Sequence, residues 1–395
     1  MKKIWILILC LALVGVAIYF VVRYLFYDIS SRGVVPAFKS TGKDIQQFLP
    51  QDSKMYYPFS VTKGYKIDVF ANTGRNLPRA FAFDTNGTLL VSSTTQGKVI
   101  ALPDKDNNGK ADEQVVVISN LNKPHGIAFD GDELYIAETD KVVKYSYNPT
   151  DYLATGGETI VNLPAGGRHF TRTIKIFNNK LYISVGSSCD TCVETDWRRA
   201  SILVSNLDGS GFKVFAKGLR NTVFFTFDDN GNMWGNDMGR DNLGESLPPD
   251  ELNLISEGKD YGWPYCYGDR IRDSKFMQSE KAVYCSTTET PIYKYPAHVA
   301  PLGITFIKST QFSPIENNSL LVSFHGSTNS NTLVGYKIIY SPVLAGSVGE
   351  SSNFLTGFLQ DKDVLGRPVD LIFDVNGNLY ISDDYAGLVY IYSKQ

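Results

Sequence analysis

Six times along this chain an extended apolar segment runs into an Asp/Asn/Gly turn, and the turn into a second short strand of the type Leu-Tyr-Ile-Ser. The second strands begin at Leu89, Leu134, Leu181, Met233, Leu320 and Leu379. Turns such as Asp84-Thr85-Asn86-Gly87, Asp229-Asn230-Gly231 and Asp374-Val375-Asn376-Gly377 precede them. Asn and Gly tolerate the positive φ that tight turns between antiparallel strands require. Successive copies start 45 to 59 residues apart, with one interval of 87, close to the roughly 40–50 residues of a four-stranded propeller blade. One such unit cannot bury its apolar face alone, so six of them predict an all-β, six-bladed β-propeller with one long insertion between the fourth and fifth copies. Almost no stretch has the amphipathic period of a crossover helix, which excludes the doubly wound α/β enzymes. The early strand Tyr65–Phe70 is placed to complete the last blade beside Leu388–Tyr392, removing the exposed edge.

Ahead of the repeats, Ile4 to Val22 carry no charge. At about 1.5 Å per residue they would span roughly 28 Å, one hydrocarbon core. Lys2 and Lys3 precede this run and no small-x-small cleavage site follows it, which predicts an uncleaved transmembrane helix in residues 1–26 over a cleaved signal sequence, with the body exported. Residues 27–58 read as a linker and 59–395 as the propeller. The whole chain carries 38 basic and 41 acidic residues, so it lacks the basic footprint of a nucleic-acid binder.

Four cysteines follow the N-terminal segment: Cys189, Cys192, Cys266 and Cys285. In an oxidising compartment the sequence-local pairs, Cys189 with Cys192 and Cys266 with Cys285, are the simplest of three connectivities. A redox-active or zinc-binding CxxC is the other reading, although no second CxxC or close His pair completes a zinc site. In Asp104-Lys105-Asp106-Asn107-Asn108-Gly109-Lys110-Ala111-Asp112, the donors Asp104, Asp106, Asn108 and Asp112 follow the first half of a calcium loop. Val115 stands where a bidentate acid belongs, which leaves a solvated turn as the alternative. In a propeller, equivalent positions before each innermost strand converge on the channel. Here they supply Arg79, His125, Arg168, His169, Arg172, Arg220 with Asn221, His298 and Arg367, and His325 follows the fifth copy's second strand. So many cations around one axis predict an acidic ligand among them.

Specific strings extend the pattern: Gly186-Ser187-Ser188-Cys189-Asp190-Thr191-Cys192, Asn206-Leu207-Asp208-Gly209-Ser210-Gly211, Gly218-Leu219-Arg220-Asn221, Gly239-Arg240-Asp241-Asn242-Leu243-Gly244, Pro248-Pro249-Asp250-Glu251-Leu252-Asn253 and Tyr261-Gly262-Trp263-Pro264-Tyr265-Cys266. In this order, across about residues 60–395, they resemble the pyrroloquinoline quinone (PQQ)-dependent sugar dehydrogenases of the sorbosone and glucose dehydrogenase group. The resemblance implies a six-bladed propeller holding PQQ over the channel mouth, with Ca²⁺ polarising the quinone. It implies His169 and Arg220 as catalytic residues, His169 as the general base and Arg220 as the fixed cation that stabilises charge on the reduced cofactor, with Arg220 and Asn221 beside the quinone oxygens and Arg172, His325 and Arg367 as further cofactor-binding residues. It places the calcium on backbone oxygens around Gly244 and Glu245. The chain departs from the family pattern at Thr222, where Pro is expected, and at Arg168, where a small residue is expected.

The function expected from this resemblance is membrane-anchored, extracytoplasmic oxidation of an aldose or related sugar aldehyde. No CxxCH haem motif is present, since Val193 follows Cys192, so electrons would leave to an external acceptor. The alternatives on the same scaffold are a calcium-dependent lactone hydrolase and a non-catalytic glycan- or protein-binding propeller.

Overall fold

The computed structural model describes residues 58–278, 280–312, 316–317, 319–344 and 346–395. The expected membrane segment, residues 4–22, and nearly all of the 27–58 linker lie outside the described residues. Among the described residues no helix is long and apolar enough to cross a membrane.

Six four-stranded antiparallel sheets form the blades, and each of the six expected second strands is the second strand of one. Blade 1 runs Phe81–Phe83, Leu89–Ser93, Lys98–Leu102 and Val115–Ile118. Blade 2 runs Ile127–Asp130, Glu133–Ala137, Lys141–Asn148 and Leu153–Asn162. Blade 3 runs Ile174–Phe177, Lys180–Val185, Ser201–Asn206 and Lys213–Lys217. Blade 4 runs Phe225–Phe227, Met233–Asp237, Asp250–Ile255 and Tyr293–Tyr295. Blade 5 runs Pro301–Phe306, Leu320–Phe324, Lys337–Ser341 and Ser352–Leu355. Blade 6 takes Pro368–Phe373, Leu379–Asp383 and Leu388–Lys394 from the C-terminus, and the early strand Tyr65–Asn72 closes it antiparallel to Leu388–Lys394.

Second strands such as Leu89–Ser93 and Leu379–Asp383 are buried at every position, because both faces lie against neighbouring blades. Apolar clusters accordingly fill the spaces between blades. Leu90, Val99, Ile127 and Leu134 pack blade 1 on blade 2, and Ile202, Ala216, Phe225 and Met233 pack blade 3 on blade 4.

The Asp/Asn/Gly turns close by side-chain capping. Asp84 Oδ1 accepts from the backbone N–H of Asn86 and Thr88, and Asp374 Oδ1 from those of Asn376 and Asn378. In blade 4 the capping acid is Asp228, one residue before the motif read from the sequence, and Asp229 instead pairs with Lys308 across to blade 5. These turns join first to second strands, so they share one end of the ring with the Asp104–Asp112 loop, which joins the last two strands of blade 1. The loops between second and third strands, and those leading into each first strand, share the other end, called here the mouth.

The long insertion lies inside blade 4, between its third and fourth strands. It carries the hairpin Cys266–Tyr267 with Ile271–Arg272 and is stapled by the Cys266–Cys285 disulfide. It climbs back to the mouth, where Asp273 meets Arg240 Nε at 2.8 Å and Lys275 Nζ donates to the Thr191 carbonyl at 2.5 Å.

Candidate active site

The mouth-face loops bring together the cations and histidines read from the sequence. At their centre on the blade 3 side is His169. Its Nδ1 lies 3.0 Å from the Ser187 carbonyl and 2.9 Å from Ser187 Oγ. The Ser187 hydroxyl proton is already given to the Cys189 carbonyl at 2.7 Å, so both Ser187 oxygens face Nδ1 as acceptors. Nδ1 therefore carries the ring proton, and Nε2 presents a bare lone pair. Burial, reinforced by the Arg220 and Arg168 cations, holds the imidazolium form well below the usual histidine range. His169 is thus a neutral base with its orientation set from behind. Gly186 makes this possible: an added Cβ there would lie 2.6 Å from both Asn221 Oδ1 and His169 Cβ.

The loop carrying His169 is braced by two buried guanidiniums. Arg172 donates to the carbonyls of His169, Thr171 and Pro164, and Arg199 to those of Ala165 and Gly166. Arg172, expected among the cofactor-binding residues, is fully buried, and burial beside Arg199 lowers its pKa to about 9. Its bonds run to the backbone of the His169 loop, where it supplies donors to buried carbonyls.

Arg220 is 4% exposed and fully engaged: Nε to the Asp190 carbonyl, Nη2 to Asp190 Oδ1 at 2.7 Å, Nη1 to the Met238 carbonyl. Asp241 lies 3.7 Å from Arg220 and pairs with Arg168. The Cys189–Cys192 disulfide closes the short loop that holds Asp190 in place. The two departures from the family pattern find partners here. Arg168 pairs with Asp241. Thr222 Oγ1 donates to Asp237 Oδ1 at 2.9 Å, beside the backbone N–H groups of Arg220 and Asn221 on the same carboxylate. Asn221 Nδ2 points to Met238 Sδ.

On the opposite rim, from blades 5, 6 and 1, Asp384 pairs with His325 Nε2 at 2.8 Å and with Arg79 Nη1 at 2.5 Å. Burial and the neighbouring arginines take His325 down to about 4, and the paired His325 and Arg79 hold Asp384 far below the carboxylate range. Arg367 donates Nε and Nη2 to the carbonyls of His325 and Gly326 and lies over the Tyr336 ring at 5.5 Å. His125 is buried against Phe224, which belongs two blades away, and so lies near the axis.

The repulsion expected among these cations is therefore largely relieved within the chain, by Asp190, Asp241, Asp273 and Asp384. Sequence reading missed these acids and Ser187. Asp384 holds the position immediately after the second strand, as His325 does in blade 5, so a blade-by-blade comparison of that position exposes it. Arg367 differs from Arg79, Arg220 and Arg240 in that, among the described residues, it pairs with no carboxylate and lies against an aromatic face.

The Gly244 carbonyl accepts from His298 Nε2 at 2.8 Å, and the Glu245 carboxylate accepts from Ser330 and Asn331. Away from the mouth, carboxylate oxygens of Asp104, Asp106 and Asp112 gather within 4.8 Å of one another. Backbone N–H groups of Asn108, Gly109 and Lys105 already occupy them in part, and Asn108 Nδ2 donates to Asp106. Both disulfides pair as the local connectivity predicts.

Beneath the mouth, blade 4 buries Asp237, Asp250 and Glu251, raised to about 6, 7 and 8, in each case mainly by desolvation. Glu251 keeps bonds from Gly268 N and Asn253 Nδ2 and also feels the Asp237 charge. A carboxyl raised in the folded state stabilises fully below its unfolded pKa and loses that contribution as pH rises through its folded value. Lowered histidines act in the opposite sense, but only below about pH 6.5, their unfolded value. Between pH 6.5 and 8.5 the raised carboxyls therefore dominate, and the melting temperature falls. Glu251→Gln is expected to flatten this fall in melts recorded across that window; an unchanged slope places the titration elsewhere.

Comparison with known proteins places this geometry among relatives. Residues 59–395 match the TrAA12-like family model. An uncharacterized protein of Borreliella burgdorferi is 33% identical, over 84% of this chain and 89% of that protein. The pyrroloquinoline quinone-dependent pyranose dehydrogenase of Coprinopsis cinerea is 26% identical over 86% of this chain and 55% of its own length, so this chain spans about half of that relative. The holo form of the pyranose dehydrogenase PQQ domain from Coprinopsis cinerea superposes with a TM-score of 0.76 at 25% identity, covering 87% of this chain and 99% of that one. The calcium structure of the Trichoderma reesei family AA12 protein shares the fold, with a TM-score of 0.77 at 24% identity over 87% and 99%.

Proposed function

Since the chain belongs to the TrAA12-like family, we propose that it is a PQQ- and calcium-dependent dehydrogenase that oxidises an aldose or related sugar aldehyde and passes the electrons to an external acceptor. In this reading residues 59–395 are the catalytic body, and residues 1–26 with the 27–58 linker export and tether it outside the cytoplasm. The two disulfides accord with an oxidising compartment.

The observation that carries the reading is His169, whose tautomer is set by Ser187 so that Nε2 is left as the basic nitrogen. The donor set suits a quinone bearing several carboxylates. Arg367 has two donors anchored and, among the described residues, no partner on Nη1, so its planar edge can meet a carboxylate. Asn221 adds an amide beside His169. Hard oxygens at Gly244 and Glu245 suit Ca²⁺, since a carbonyl with one bond keeps a second lone pair. When bound, the quinone supplies the hydride acceptor. His169 Nε2 takes the proton of the sugar hydroxyl, Ser187 holds the ring in place, and the Arg220–Asp190–Asp241–Arg168 network fixes the wall behind it. Asp190, Asp241 and Asp384 are each paired with Arg or His, which weighs against these three as ligands of a central metal in a lactone hydrolase.

Calorimetric titration of PQQ into the protein with and without Ca²⁺, followed by dye reduction with a panel of aldoses, tests the proposal. Calcium-dependent binding with sugar-dependent reduction is expected. Folded, disulfide-intact protein that binds no PQQ overturns it and turns attention to lactone hydrolysis and glycan binding.

A further inference from the structure

On the outer wall of the ring an open groove of about 300 Å³ lies between blades 2 and 3, lined by Ile160, Val161, Asn162, Trp197, Arg198, Gly209 and Phe212. Its size is at the lower end of small-molecule sites, room for one ring and not an extended chain. Trp197 is 57% exposed, although an indole is among the most favourable groups to bury. It is not loose: its ring leans on Phe212, with centroids 5.7 Å apart and planes at 57°.

The polar wall is equally fixed. Arg198 forms a two-point pair with Asp196, Nε to Oδ1 at 2.9 Å and Nη2 to Oδ2 at 2.6 Å, and Nη1 donates to the Asn162 carbonyl. This pair is neutral as a unit, so the groove offers no uncompensated cation to attract an anion, while the guanidinium edge and the Asn162 carboxamide remain hydrogen-bonding groups. The close approach of the two walls is built in at Gly209, where an added Cβ would lie 2.0 Å from the Ile160 carbonyl oxygen.

An exposed, propped indole beside fixed neutral hydrogen-bonding groups matches a ligand with an apolar face and a polar rim. A neutral pyranose has that form: its axial C–H bonds present one apolar face, and its hydroxyls radiate in the ring plane. We propose that this groove is a second carbohydrate-binding site, taking one neutral sugar ring of an oligosaccharide on the face of Trp197. The site needs neither quinone nor turnover, so it stands or falls separately from the dehydrogenase reading. Its walls run directly into the catalytic loop, since Asn162 leads to Pro164–His169 and Arg198 precedes Arg199, which clamps that loop. A glycan held here is tethered beside the segment that positions His169.

The test is saturation-transfer NMR and tryptophan-fluorescence titration of the quinone-free full chain with cello-, malto- and laminari-oligosaccharides, with oligogalacturonate as the anionic comparison. Saturation transfer to a neutral oligosaccharide is expected. Trp197→Ala should weaken that binding by about tenfold or more, the loss of one stacking contact and its buried area, and Trp197→Phe should retain part of it. Turnover of monosaccharide by reconstituted Trp197→Ala should equal that of wild type. Absence of transfer from every neutral oligosaccharide, equal affinity in wild type and Trp197→Ala, or preference for oligogalacturonate overturns the proposal.

Discussion

His169→Ala is expected to lower sugar-dependent dye reduction by roughly 10²–10⁴-fold, the usual contribution of a positioned general base, while PQQ affinity stays close to wild type. The separation follows from the geometry. His169 meets its neighbours through Nδ1 and Ser187, and its Nε2 has no assigned partner among the described residues, so its loss removes a proton acceptor and leaves Arg367 and Asn221 in place. The pH profile supplies a second reading. Because burial and the Arg220 and Arg168 cations keep the imidazolium well below its ordinary range, kcat/KM should hold level from neutral pH to below 6.5, the unperturbed histidine value, and fall only in more acid solution. Arg168→Ala removes one of those cations and should move the acid limb toward neutrality. Wild-type turnover in His169→Ala, or an acid limb unmoved by Arg168→Ala, withdraws the base assignment.

Arg220→Ala is expected to have the largest effect on stability. Arg220 is nearly fully buried and meets Asp190 directly, with Asp241 close behind, so its removal strands carboxylates it now neutralises. Breaking a buried pair in this way costs roughly 3–5 kcal/mol, visible as a lower melting temperature. PQQ affinity should also fall, because Asp190 and Asp241 would then repel the cofactor carboxylates. The double variant Arg220→Ala/Asp190→Asn separates the two effects. Removing the stranded charge should restore much of the stability, the interaction a double-mutant cycle isolates, without restoring the guanidinium at the proposed quinone site. Unchanged melting and unchanged PQQ affinity in Arg220→Ala would show that the cation does neither job.

Both predictions rest on pairings that differ in how visible they were beforehand. The motif Gly186-Ser187 was legible, and so was His169, but the link between them required knowing that the Ser187 hydroxyl points to the Cys189 carbonyl. The disulfides were legible because each joins cysteines close in sequence, 3 and 19 residues apart. Arg172 was legible as a channel-side cation, whereas its full burial against the backbone of the His169 loop was not, since burial depth within a loop has no signature in residue type.

The amino-acid sequence by itself determined the blades: the position of every second strand, the capped turns before them, the blade-4 insertion and the closure by the early strand. These depend on alternation and turn chemistry, which act between residues a few positions apart. The tertiary structure alone decided which charges meet. Arg79 reaches Asp384 across 305 positions, Arg168 reaches Asp241 across 73, and His325 reaches Asp384 across 59. No local preference selects among the many acids each arginine could join. The choice is made when ring closure brings six sets of loops to one mouth, where the low dielectric makes an unpaired charge costly enough that each cation is held against an acid or a carbonyl.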